Sequence, residues 1–178
     1  MKCEGFSLVE SMVVVVLLAI CATAATPVFV AWRVRDEVNA RAGALLGTLA
    51  YARNEAIRRK GRVTVCRLDT SRNCLAPGKS CPSGAADWSC GWAVMAEVSG
   101  VPKLLRVQPA LEDVGVASPL TAIVFTPPAG QAIGVMRTFE LAPRTQTAAT
   151  RGAAWRRCIR IAAGGRARIS DGACGVAS

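Results

Sequence analysis

The residues of this 178-residue chain whose types could do chemistry are arginines, cysteines and one isolated glutamate, Glu10; histidine is absent. Without imidazole there is no Ser-His-Asp or Cys-His nucleophile pair, no His-ligated zinc and no ordinary side chain poised for proton transfer near neutral pH. The carboxylates are scattered singly, so no acid–base constellation stands out, and the chain reads as a non-enzyme that needs no cofactor. What remains is charge. Twenty-two Lys and Arg against 12 Asp and Glu give a formal net charge of +10. Seven arginines (Arg144, Arg151, Arg156, Arg157, Arg160, Arg166, Arg168) crowd residues 144–178 against Asp171 alone, a surplus of six positive charges. A guanidinium presents a planar fork of donors that matches phosphate oxygens, so an anionic partner such as nucleic acid or anionic lipid is expected. A second basic cluster comprises Arg53, Arg58, Arg59, Lys60 and Arg62.

The stretch Cys158–Ser170 (CIRIAAGGRARIS) reads as a hairpin turning at Gly164-Gly165. For Ile159 and Ile161 to share a face with Ala167 and Ile169, paired residue numbers must sum to an even value. A three-residue loop, Ala163-Gly164-Gly165, with residue 162 opposite 166, satisfies this and puts glycine where positive φ is required. Arg160 and Arg168 then lie opposite each other on the solvent face, with Arg166 beside the turn. A two-residue Gly-Gly loop would set Arg168 against Ile161 and mix the faces. Three arginines on one face repel each other and contribute nothing to folding, so the arrangement is either a merely solvated basic face or a phosphate-binding one. Gly165 before Arg166 would permit close approach of a phosphate backbone. Trp155 is the one aromatic of the region, so base stacking is poorly supported and contact should be sequence-independent.

The N-terminus explains a mean hydropathy of +0.33, high for a soluble globule. From Met12 to Ala25 there is no charge, and apolar character continues through Phe29, Val30 and Trp32. Phe6 to Trp32 is 27 residues, roughly 40 Å as a helix, enough for a hydrocarbon core of about 30 Å. Glu10 lies inside this segment, and an ionisable group there is functional by default. A cleaved secretory signal would want a more basic start than Lys2 opposed by Glu4. A lipoprotein signal would want a small residue where Ile20 precedes Cys21.

Residues 33–60 continue as a helix, because Val34, Val38, Ala42, Leu45, Leu49, Ala52 and Ala56 recur at spacings of three and four. Pro27 should kink or loosen it, and Gly61 suits the C′ position. After Gly61 the period shortens. Val63–Leu68, Trp92–Val98, Leu104–Val107, Ala122–Phe125, Ile133–Leu141, Trp155–Ala162 and Ala167–Ser170 read as strands of an antiparallel sheet packed on the helix stripe, with residues 69–89 as a loop. The expected class is α+β, a long N-terminal helix on a small antiparallel β-sheet head.

Gly5-Phe6-Ser7-Leu8-Val9-Glu10 ahead of an uncharged helix resembles the leader of type IV pilins and pseudopilins. The resemblance implies a leader over residues 1–5, cleavage between Gly5 and Phe6 by a prepilin peptidase, and N-methylation of Phe6. It also implies contact between Glu10 and the Phe6 amine of a neighbouring subunit. Residues 6–32 would then be the transmembrane and assembly half of the helix, 33–60 its amphipathic half, and 61–178 a periplasmic head, extracellular in an assembled pilus. Ala52-Arg53-Asn54-Glu55-Ala56-Ile57, Ser89-Cys90-Gly91-Trp92-Ala93-Val94 and Gly165-Arg166-Ala167-Arg168 resemble the GspH/FimT/FimU branch. A FimT-like GRxR segment implies DNA binding during natural transformation, carried by Arg166 and Arg168. The other reading is a structural subunit of the FimU or GspH kind, at a pilus tip or in a type II secretion pseudopilus. Expected partners are other pilins, the prepilin peptidase, inner-membrane lipid and the DNA phosphate backbone.

Of eight cysteines, Cys3 would leave with the leader and Cys21 would act as a small apolar residue in the membrane helix. The other six lie in a head placed in an oxidising compartment, and six cysteines allow 15 pairings. The favoured set pairs Cys158 with Cys174 and keeps Cys66, Cys74, Cys81 and Cys90 among themselves. A zinc site of four thiolates is the competing use, although no C-x2-C pair occurs and no metal is expected.

Overall fold

The computed structural model of the protein describes residues 8–81, 87–98, 100–133, 137–148 and 150–175. Helix α1 runs from Leu8 to Arg59, 52 residues, about 78 Å by rise. The helix continues past Pro27 as a single element. Val38, Ala42, Leu45, Leu49, Ala52 and Ala56 are fully buried, which is the apolar stripe read from their spacing. Further towards the N-terminus, Leu8, Val9, Met12–Leu18 and Ile20 are exposed. Among the described residues no helix is long and apolar enough to cross a membrane. The segment expected to do so, 6–32, includes Phe6, Ser7 and the side chains at 24, 25, 27 and 28, which lie outside the description.

The helix ends differently from the expectation. Lys60, not Gly61, takes the left-handed backbone (φ 52°). The Lys60 N–H donates to the Ile57 carbonyl and the Gly61 N–H to the Ala56 carbonyl, both at 3.3 Å. That bond pair is a Schellman closure with lysine at C′ and glycine one place later.

The head holds two antiparallel sheets where the sequence suggested one. Its strands are β1 (Val63–Arg67), β2 (Trp92–Val98), β3 (Val101–Gln108), β4 (Val114–Ala117), β5 (Ala122–Thr126), β6 (Gln131–Ile133), β7 (Thr138–Pro143), β8 (Arg157–Ile161) and β9 (Ala167–Asp171). The five-stranded sheet has the order β3-β2-β1-β5-β6, and the four-stranded sheet β4-β7-β8-β9. The run expected as one strand over Ile133–Leu141 is divided between them. Trp155, expected at the start of a strand, closes a short 3-10 turn, Ala153–Trp155. Strand β4 was not legible, since Val-Gly-Val-Ala carries too few apolar alternations to stand out.

Both sheets pack on α1. Trp88 and Phe139 meet edge to face at 4.9 Å between ring centroids. The buried indoles find partners, Trp88 Nε1 donating to the Leu120 carbonyl at 2.7 Å and Trp92 Nε1 to Thr48 Oγ1 at 3.3 Å. Strand β1 is buried on both faces. Val63 and Val65 join the main core, while Cys66, with Leu68, Ala93 and Met95, forms a second small cluster. Disulfides Cys66–Cys74 and Cys81–Cys90 tie the loop that follows β1, and Cys158–Cys174 closes the C-terminal segment onto β8. Cys21 is exposed on the helix.

Candidate nucleic-acid interface and family

Strands β8 and β9 form the arginine hairpin. Its register pairs Ile159 with Ile169, Arg160 with Arg168 and Ile161 with Ala167. The Gly165 N–H donates to the Ala162 carbonyl at 2.8 Å and the Ala162 N–H to the Arg166 carbonyl at 2.9 Å. This is the three-residue loop with Gly165 at positive φ (76°). Ile159 and Ile161 are buried, but Ile169 is 41% exposed on β9, the edge strand of its sheet.

The C-terminal arginines divide by partner. Arg156 Nη1 pairs with Glu140 Oε1 at 2.8 Å, and Arg157 Nε, buried, with Asp171 Oδ1 at 3.1 Å. Arg144 donates to the Leu111 carbonyl at 3.0 Å. Arg160 Nη2 donates to the Gly175 carbonyl at 3.1 Å while its side chain stays on the exposed face. Arg166 and Arg168 are exposed and have no ion pair or side-chain hydrogen bond among the described residues. So the surplus of six charges condenses, at this hairpin, to a patch of Arg160, Arg166 and Arg168. Arg166 immediately precedes β9 and Arg168 lies within it, two residues apart or about 7 Å by extended rise.

Gly165 has a different role from the one its position suggested. It is buried, and a Cβ there would overlap the Gly130 carbonyl oxygen and stand 3.2 Å from Arg53 Cδ. The close approach permitted by its missing side chain is made by the β5–β6 turn, which leaves no room for a phosphate.

The second basic cluster is also largely occupied. Arg53 Nε donates to the Gly164 carbonyl at 3.1 Å and Nη2 to the Ala129 carbonyl at 2.9 Å. Glu55, buried, accepts from Arg58 Nη2 at 2.8 Å and Arg59 Nε at 2.5 Å. The hydrogen bonds from Arg58 and then Arg59 outweigh burial and hold the Glu55 carboxyl well below its usual 4.5, at about 2. A depressed native pKa contributes stability that is complete above pH 4.5 and is lost as pH falls towards 2. Thermal unfolding should therefore show a loss on the order of 2 kcal/mol over that window, reduced by solvent screening of the exposed Arg58. In Glu55→Gln this component of the pH dependence should disappear.

Glu10 lies in the first turn of α1 and is exposed. Gly5 and Phe6 lie outside the described residues. All six head cysteines are in the three disulfides, with Cα separations of 5.4, 5.5 and 5.0 Å. The feature that sequence reasoning missed is the Arg53 contact with the hairpin, 111 residues away in the chain; no local pattern signals it.

The family described as Type II transport protein GspH matches residues 41–165, and the prokaryotic N-terminal methylation motif matches residues 1–26. No curated protein matches the chain. Two crystal structures of the type IV minor pilin FimU from Pseudomonas aeruginosa strain PAO1 are similar at 19% identity. One covers 76% of this chain and 90% of its own with a TM-score of 0.52; the other covers 77% and 90% with a TM-score of 0.48. The GspH match ends at Gly165, so Arg166 and Arg168 fall beyond it. With more than half its length matched, a methylation motif at its start and the long-helix α+β architecture of the type IV pilins, the chain belongs to the GspH family of minor pilins and pseudopilins.

Proposed function

We propose that this minor pilin binds DNA without sequence preference, through the phosphate backbone, and so aids DNA uptake in natural transformation. The observation that carries this reading is the division of the C-terminal arginines. Arg144, Arg156 and Arg157 are held by internal partners, while Arg166 and Arg168, beside Arg160 on an edge strand and its turn, have none among the described residues. Like charges gathered without partners destabilise a hairpin slightly, and a phosphate backbone relieves that repulsion. In this reading Phe6 follows the cleaved leader and carries the methyl group, and Glu10 meets the Phe6 amine of the next subunit. The apolar half of α1 anchors the protein in the inner membrane as a single pass, with the head in the periplasm until assembly carries it outside. A single head binds weakly, and several heads on one filament raise the apparent affinity.

The competing role is a purely structural tip subunit of a pilus or secretion pseudopilus, favoured by the end of the family match at Gly165. Complementing a deletion strain with Arg166→Gln/Arg168→Gln separates the two. The DNA reading expects uptake to fall at least about tenfold, the equivalent of 1.4 kcal/mol of lost binding, with pili still assembled. Normal uptake, or loss of pili, would contradict it.

A further inference from the structure

We infer that Arg53 is the positioning residue of the arginine hairpin: its fork bridges the β8–β9 turn and the β5–β6 turn, and that bridge sets where Arg166 and Arg168 point. The inference rests on the DNA-binding reading and adds a residue that the reading does not use. Arg53 projects from the last part of α1, outside both sheets. Its two donor nitrogens reach the carbonyls of Gly164 and Ala129, one in each turn. The β8–β9 turn is also bonded to β6 itself, the Ala132 N–H donating to the Ala163 carbonyl at 3.2 Å. Two glycines let this contact close. A Cβ on Gly130 would lie 2.6 Å from Arg53 Cγ, and one on Gly165 would strike the Gly130 carbonyl. The hairpin tip is thus held by a helix side chain and a neighbouring turn from the other sheet, one residue before Arg166.

A planar guanidinium holds two peptide carbonyls in a fixed mutual geometry; a lysine ammonium has donors enough but, on its flexible stem, does not fix the two turns relative to each other. Arg53 commits Nε and Nη2 to carbonyls and acts by positioning, with the phosphate contacts left to Arg160, Arg166 and Arg168. Duplex binding by the full-length chain in detergent micelles, read with a fluorescent duplex, separates the outcomes. Arg53→Gln should weaken binding about tenfold, or 1.4 kcal/mol. Arg53→Lys should not restore it, although the charge returns. In both variants the slope of log K against log salt should stay at the wild-type value, because the number of phosphates neutralised is unchanged. A direct phosphate contact by Arg53 would instead reduce the slope by about 0.9 and be rescued by lysine; that result overturns the inference. So does wild-type affinity in a folded Arg53→Gln.

A second measurement needs no DNA. Amide hydrogen exchange at Ala132 and Gly165 should quicken in Arg53→Gln while exchange in β1 and β2 stays the same. Unchanged exchange at those two amides refutes the bridge. If the wild-type chain fails to bind DNA at all, the proposed function falls, and the exchange result alone decides whether Arg53 holds the hairpin.

Discussion

Gly165→Ala is expected to destabilise the head by roughly 3 kcal/mol. Two independent costs add. The left-handed backbone at residue 165 disfavours any Cβ by about 1–2 kcal/mol. The new methyl also overlaps the Gly130 carbonyl in a site already filled by Arg53, and overpacking of this kind costs about 1–3 kcal/mol. For a chain of this size the melting temperature should drop by about 6–12 °C. Asparagine accepts positive φ but is larger, so Gly165→Asn should recover none of the packing loss. A melting temperature within about 2 °C of wild type for Gly165→Ala would show that the turn does not pack against Gly130. Because the substitution keeps every charge, any loss of DNA affinity in a folded fraction reports on hairpin position alone.

Removal of the Cys158–Cys174 disulfide is the other large effect. It closes a loop with a sequence separation of 16, the longest of the three bridges, whose separations are otherwise 8 and 9. Constraint of the unfolded chain by a loop of this length is worth about 3 kcal/mol. The bridge also organises its surroundings. The Cys174 N–H donates to Glu140 Oε2 at 2.8 Å, while Glu140 Oε1 holds Arg156. One residue on, the Gly175 carbonyl receives Arg160 Nη2. Cys158→Ala/Cys174→Ala should therefore melt about 6–12 °C lower and release Arg160 from its backbone partner. Paired replacement at Cys81 and Cys90, a shorter loop between β1 and β2 with no bond to the hairpin among the described residues, should cost less and leave DNA affinity unchanged. Equal losses of affinity from both pairs would contradict this assignment of Arg160.

What could be read from the sequence depended on periodicity and on local loop chemistry. The helix stripe from Val38 to Ala56 follows from spacing alone, and the hairpin register follows from requiring Ile159 and Ile161 to share a face with residues across the turn. Gly-Gly suits either loop length by its backbone, and the shared apolar face chose the three-residue loop. Features set by long-range contact were beyond reach. Nothing in the vicinity of Arg156 or Arg157 announces that Glu140 and Asp171 will pair with them. The count of C-terminal arginines therefore overstated the charge available to a ligand. The division of the head into two sheets is invisible for a related reason: the sequence from 133 to 141 has no Gly/Pro/Ser-rich connector to break it, and only the pairing partners of β6 and β7 separate them. At the helix end, local chemistry favoured Gly61 at C′. The register of the closing hydrogen bonds instead makes Lys60 bear the left-handed conformation, a small local strain that the packed helix tolerates.

Arg53 and Gly165 illustrate how a motif can be legible while its physics is not. Both stand in segments that resemble the GspH branch, and by type both look like surface binding residues. In the fold Arg53 donates to two carbonyls and Gly165 is buried against Gly130. They build the platform, and the exposed Arg166 and Arg168 are what the platform presents.

The most direct measurement is the salt dependence of duplex binding by the full-length protein in detergent, compared with Arg166→Gln/Arg168→Gln. With Arg160, Arg166 and Arg168 each neutralising one phosphate, log K should fall against log salt with a slope near −2.7, and near −0.9 for the double variant. A wild-type chain that ignores duplex at about 50 mM salt, or a double variant that binds with the wild-type affinity and slope, would contradict the account.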